Sequence, residues 1–131
     1  MQKTLGLTLA AALMGTTALA QDDPIKIGSI ATLEGAFTVL GEEGMRGLEL
    51  ALEQAGYEAG GREIESISEA SDATPDSAVQ AARKLVENDE VDIVIGPLSG
   101  SEGIAIRDYS KTQPDVTFVN GVSAAADTTL R

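Results

Sequence analysis

Cysteine, histidine and tryptophan are absent from this 131-residue chain, and two tyrosines with two phenylalanines are its only aromatics. Without cysteine no disulfide forms, and the thiol on which an exported lipoprotein is lipidated is missing. Without histidine as well, zinc sites and catalytic dyads or triads built on those two residues are excluded. An enzyme working through carboxylates is still compatible with this composition. Cations are also scarce: nine Lys and Arg stand against 21 Asp and Glu, a formal net charge of −12. That argues against a nucleic-acid partner, because holding a phosphate backbone draws on Lys and Arg. The acidic excess reads as a solubility device rather than a functional patch.

What is present begins with an export pattern. Residues 1–21 carry no acid, one early cation at Lys3, an apolar stretch from Leu5 to Met14, and small residues at Ala18 and Ala20. These parts match a secretory signal peptide, with cleavage expected after Ala20. A membrane-spanning helix needs roughly 20 mainly apolar residues, whereas this run is broken by Gly15, Thr16 and Thr17. The expected organisation is a signal peptide at 1–20 and a mature part at 21–131, soluble in the periplasm or its equivalent. The mature part is of ordinary size for one domain.

Residues 25–30 (Ile-Lys-Ile-Gly-Ser-Ile) read as a strand closed by Glu34-Gly35. Over 41–55 the period turns helical: Met45, Leu48, Leu52 and Ala55 fall on one face, while Glu42, Glu43, Glu49 and Glu53 lie mostly outside. Gly56 and Gly60-Gly61 end this helix, and 62–70 alternates as a second strand around Ile64 and Ile67. Thr74-Pro75-Asp76 has the form of a helix start. Ala78, Ala82, Leu85 and Val86 supply that helix's apolar stripe, with Arg83, Lys84 and Glu87 facing water. Residues 91–97 form a nearly continuous apolar run, as a central parallel strand covered on both faces would. Ser99 and Glu102 then make a capping box for a third helix running to Thr112, Pro114 stops it, and 116–120 is a fourth strand. The order β-α-β-α-β-α-β predicts right-handed crossovers and a doubly wound, mostly parallel α/β sheet. Ending directly after a strand, the chain is read as a fragment.

In such a sheet ligands bind outside the carboxyl ends of the strands, which directs attention to residues 32–41, 70–74, 97–102 and 121–127. The Pro97-Leu98-Ser99-Gly100-Ser101 loop opens a helix, so its hydroxyls and free amides suit an anionic group, although Ser99 as a cap competes for the same few amides. Nucleotide signatures fail: Gly41, Gly44 and Gly47 do not form the dinucleotide fingerprint, and no glycine-rich loop leads into Lys-Ser or Lys-Thr. At helical spacing those three glycines are expected to let the first helix pack close to the sheet. The acid pairs Glu42/Glu43 and Asp22/Asp23 fall on surfaces expected to be solvated, so neither is read as a catalytic or metal site. No catalytic residue, metal or cofactor is assigned.

Taken together, the ordered segments resemble the N-terminal part of a type I periplasmic substrate-binding protein, of the branched-chain amino-acid (leucine-binding) family that feeds ABC importers. The segments are Ile25-Lys26-Ile27-Gly28, Glu34-Gly35, Leu40-Gly41, Gly44-Met45-Arg46-Gly47, Leu50-Ala51, Gly61-Arg62-Glu63-Ile64, Asp72 with Pro75, Ala78, Ala82, Lys84, Leu85 and Val86, and Val94-Ile95-Gly96-Pro97. The resemblance implies an incomplete first lobe of a two-lobed, non-enzymatic protein that closes on a small amino acid-like or related polar solute. It also implies a monomer when complete, which hands that solute to an inner-membrane ABC permease. It further implies ligand contacts from Ser99, Gly100 and Ser101, from Val122, Ser123 and Ala124, and from Phe37 and Leu40 in the first loop.

Three positions depart from the family's pattern. Glu102 stands where leucine binders carry a small hydroxyl residue, Leu40 replaces an aromatic, and Ala124 lacks a hydroxyl. An acid one turn inside an anion-binding helix start weakens carboxylate binding, so the expectation is a ligand other than leucine: an amide, a cationic amino acid or an aromatic acid. Without a second lobe the chain is expected to bind weakly or not at all, and to expose a sticky sheet edge. Two alternatives remain open at this point: a ligand-sensing receptor or regulator module of the same fold, and a small exported α/β enzyme. The latter is disfavoured by the absence of histidine and of a G-x-S-x-G elbow.

Overall fold

The hydrophobic pattern resolves into a sheet with helices on both faces. The computed structural model describes residues 23–128; the signal peptide expected at 1–20, and Asp22 of the Asp22/Asp23 pair, lie outside the described residues. The elements are β1 (Ile25–Thr32), α1 (Thr38–Gln54), β2 (Glu58–Ala59), β3 (Arg62–Ser71), α2 (Pro75–Arg83), β4 (Ile93–Gly96), α3 (Gly100–Ser110) and β5 (Thr117–Asn120). The sheet runs in the order β2-β3-β1-β4-β5. β1 pairs in parallel with β3, from Ile25↔Ile64 to Thr32↔Ser71, and with β4 through Ile27↔Ile93. β4 and β5 are also parallel, and only the two-residue β2 is antiparallel, against β3. The doubly wound, mostly parallel sheet expected from the sequence is what forms.

Alternation along β1 sends side chains to two cores. On one face Ile27 joins Ile64 of β3 and Leu52 of α1, with Ile25, Leu48, Tyr57, Ile93 and Ile95 packed beside them. On the other, Ile30 and Val94 meet Ala78, Ala81, Ala82 and Leu85 from α2 and its extension, and Ile106 and Tyr109 from α3. Tyr109 stands edge-on to Phe118 of β5 at 6.1 Å between centroids. Burial pushes the Tyr109 phenol above its usual range, and the Glu87 carboxylate adds to the effect.

Several expectations are corrected in detail. β1 extends two residues further than expected, and α1 begins at Thr38 rather than 41, behind a short helical turn at Gly35–Phe37. Ala55 is exposed rather than on the buried stripe, because α1 stops at Gln54. Gly60 and Gly61 turn the small β2–β3 hairpin, which is too short for alternation to reveal. After Arg83, α2 widens into a π-helical turn, Lys84–Asn88, in which the Asp89 amide donates to the Lys84 carbonyl at 3.1 Å. β4 is shorter than the apolar run 91–97 and is covered unequally on its two faces: Val94 is buried, whereas Ile93 and Ile95, packed on the α1 side, are half-buried. The central strand is β1.

Of the three glycines in α1, only Gly41 serves close packing. A Cβ there would lie 1.8 Å from the Thr32 carbonyl oxygen, whereas one at Gly44 or Gly47 would meet nothing within 4 Å.

Candidate functional site

Because β1, β3, β4 and β5 all run the same way, their carboxyl ends deliver residues 33–37, 72–74, 97–99 and 121–125 to one edge of the sheet. Thr32 and Ser71, register partners at the ends of β1 and β3, are both buried, their hydroxyls 3.4 Å apart. The Ser71 carbonyl accepts from the amides of Leu33 and Glu34, which ties the first loop to the end of β3. In the next loop the Asp72 carboxylate accepts from the Thr74 hydroxyl at 2.6 Å and the Thr74 amide at 2.9 Å. The Thr74 hydroxyl and then its amide hold the Asp72 carboxyl below the usual range. Thr74 in turn caps α2 by accepting from the Ser77 amide.

The strongest local construction lies at the start of α3. Gly96 ends β4 at φ +121°, a region glycine favours, and a Cβ there would stand 2.5 Å from the Ile30 carbonyl oxygen. The chain then passes through a cis Gly96-Pro97 bond to Ser99. Ser99 and Glu102 form the capping box read from the sequence: the Ser99 hydroxyl accepts from the Glu102 amide, and the Glu102 carboxylate accepts from the Ser99 amide at 2.9 Å. The structure adds a third partner. Glu102 is wholly buried, and its other oxygen accepts from the Ser71 hydroxyl at 2.6 Å. The Ser99 hydroxyl also donates to the Ala73 carbonyl at 3.3 Å and lies 3.3 Å from that of Ser101. A buried polar chain thus joins β1, β3 and the first turn of α3.

The loop after β5 packs onto this same turn. The Gly121 amide donates to the Gly96 carbonyl at 3.3 Å. A Cβ at Gly103 would fall 2.0 Å from the Ser123 hydroxyl oxygen, and one at Gly100 would meet Ala125 at 3.4 Å. Two glycines on one face of α3 therefore admit the second loop. Ser123 is 7% exposed, and its Oγ is a buried polar atom without a hydrogen-bond partner. Such an atom is uncommon, because burying an unpaired hydroxyl costs free energy.

The eight residues expected to meet ligand therefore divide. Ser99, Gly100, Ser101 and Ser123 gather at α3, with Ala124 exposed beside them. Leu40 and Val122 instead line an open, largely apolar pocket of about 570 Å³ between α1 and β4, walled also by Met45, Leu48, Ile95 and Leu98. Phe37 is half exposed and lines neither. Sequence reasoning missed Gly103, Ser71 and Thr32. Hydroxyls closing two adjacent strands were the available signal for the last two; Gly103 gave none, since its role depends on the second loop. Among the described residues no group of three or more Asp or Glu side chains could hold a metal ion, and no helix is long and apolar enough to cross a membrane.

Comparison with known proteins agrees with this architecture. The family model described as periplasmic binding protein matches residues 24–129. An ABC transporter substrate-binding protein from Sphaerobacter thermophilus is 40% identical, with a TM-score of 0.69 over 75% of this chain and 26% of its own. A Leu/Ile/Val-binding protein homolog 8 from Brucella abortus is 32% identical over 108 residues, 82% of this chain. A solute-binding protein of an ABC transporter from R. palustris, solved in complex with benzoate, is 25% identical with a TM-score of 0.68, over 74% of this chain and 27% of its own. The chain spans 27% of the length of the Brucella relative. With a match across nearly all the described residues and a sheet superposing on solved members, the chain belongs to the type I periplasmic binding protein family, among the relatives of the branched-chain amino-acid binders.

Proposed function

We propose that this chain contributes the first-lobe contacts of an extracytoplasmic solute-binding component of an ABC importer. It is exported by a signal peptide at 1–20, with 21–131 forming part of the first of two lobes. The solute is a small amino acid-like or related polar molecule, trapped between the lobes and passed to a permease; the chain performs no catalysis. The observation that carries this reading is the convergence of two loops on the first turn of α3, where the Ser123 hydroxyl lies buried without a partner. A turn with amides left free by helix geometry, beside an unsatisfied hydroxyl, is equipped to receive a polar ligand group. Ser99, Gly100, Ser101 and Ser123 are its polar contacts, Val122 and Ala124 flank them, Leu40 stands on the apolar side, and Phe37 reaches the solute from the exposed first loop. The names of the relatives add a Leu/Ile/Val-binding homolog and a benzoate complex as the range of solutes to try.

The test is uptake of labelled leucine, glutamine, arginine and benzoate by cells with and without the gene. The expected result is loss of uptake of one solute class on deletion. Unchanged uptake of every solute, with a lost response to one of them, would replace transport by sensing.

A further inference from the structure

Glu102 is a buried acid that neither the fold class nor the loop contacts account for. It is fully buried in the first turn of α3, and none of the ion pairs among the described residues includes it. Both of its oxygens are engaged, one by the Ser71 hydroxyl at 2.6 Å and the other by the Ser99 amide at 2.9 Å. The positive end of α3 is thereby complemented from inside the protein. What remains for a ligand at this turn is neutral: the amides of Gly100 and Ser101, which helix geometry leaves free, the exposed Ser101 side chain, and the unpartnered, buried Ser123 hydroxyl.

We infer that Glu102 is a specificity-determining residue that makes the site at Ser99–Ser101 and Ser123 favour a neutral or cationic polar group of the ligand, such as a carboxamide, over a carboxylate. The inference rests on the proposed reading of these loops as ligand contacts. An incoming carboxylate would share one helix end with a carboxylate already there, and like charges withdrawn from water repel more strongly than in bulk solvent. A carboxamide uses the same free donors without that repulsion, and its own N–H group can donate to the exposed Ser101 hydroxyl.

Charge can be separated from mere anchoring. Glu102→Gln keeps the shape and an oxygen for the Ser99 amide. Its new N–H group can donate to Ser71, whose hydroxyl can turn toward Thr32, 3.4 Å away. Ser71→Ala does the reverse, removing a network partner and keeping the charge. The experiment titrates the complete, two-lobed 15N-labelled protein with L-leucine and, separately, L-leucinamide at millimolar concentrations, at a pH where both amines are protonated, and follows the amides of Gly100, Ser101 and Ser123. The wild type is expected to respond to leucinamide at the lower concentration. Glu102→Gln should shift the ratio toward leucine by about fivefold, the size of a charge effect at a helix terminus, while Ser71→Ala should keep the wild-type ratio.

A wild-type response that is equal for the two probes, or stronger for leucine, overturns the assignment of Glu102 and leaves the loops as ligand contacts. So does an unchanged ratio in a folded Glu102→Gln, or a preference lost in Ser71→Ala. If Glu102→Gln does not fold, the wild-type ratio and its persistence in Ser71→Ala decide. If neither probe moves these amides in any variant, the proposed ligand site falls together with the inference.

Discussion

Single atoms decide how closely α1 approaches the sheet. Gly41 leaves no room for a side chain, since the oxygen it would strike belongs to the backbone of β1, whereas Gly44 faces open space three residues later. Gly41→Ala is therefore expected to destabilise the fold by about 3 kcal/mol, the upper range for forcing atoms into a packed site. Gly44→Ala should stabilise it by about 0.5–1 kcal/mol through helix propensity alone. Denaturant unfolding of the two variants checks both signs. Glycines at helical spacing were legible in the sequence, but which of them touches the sheet was not, because that depends on the crossing of α1 over β1. Glu102 shows the same limit. Its capping role followed from its spacing to Ser99, while its contact with Ser71 joins residues 31 positions apart.

At the scale of elements, local chemistry carried most of the information. Thr74 followed by Pro75 and Asp76 fixed the start of α2, and the hydroxyl does accept from the Ser77 amide. Thr74→Ala is expected to cost about 1 kcal/mol, read as a lower midpoint in a denaturant titration, with the sheet intact by circular dichroism. The order of strands and helices was equally legible, because each long element has its own period and its own stop. The β2 hairpin and the π-helical turn after α2 were not. Two residues cannot display alternation, and a π turn differs from an α turn only by where Asp89 finds its acceptor. The early start of α1 was hidden by the apolar run Phe37 to Leu40, whose members are mostly exposed and carry no helical face of their own.

For the whole molecule, parallel strands sharing one direction are what create a site, since they bring four loops to one edge. Sequence reasoning could name those loops from the topology. It could not foresee that the Leu40 side of the edge opens into an apolar pocket, nor that Ser123 folds under the first turn of α3. Val119 and Val122 stay exposed on the β5 side, where among the described residues β5 pairs only with β4.

The central claim is that the turn at Ser99–Ser101 and the buried Ser123 hydroxyl form one solute-contacting unit. It is tested most directly by titrating the complete, two-lobed labelled protein and its Ser123→Ala variant with leucine, leucinamide and benzoate, following each amide while the unfolding midpoint is recorded. Among residues 23–128 the account predicts the largest shifts at 99–101 and 121–125 in the wild type. In Ser123→Ala those shifts should weaken, while stability stays level or rises by up to about 1 kcal/mol, because a buried hydroxyl without a partner contributes nothing to the fold. Shifts gathered instead around Leu40 and Met45, or a Ser123→Ala variant that loses stability and keeps its solute response, would contradict it.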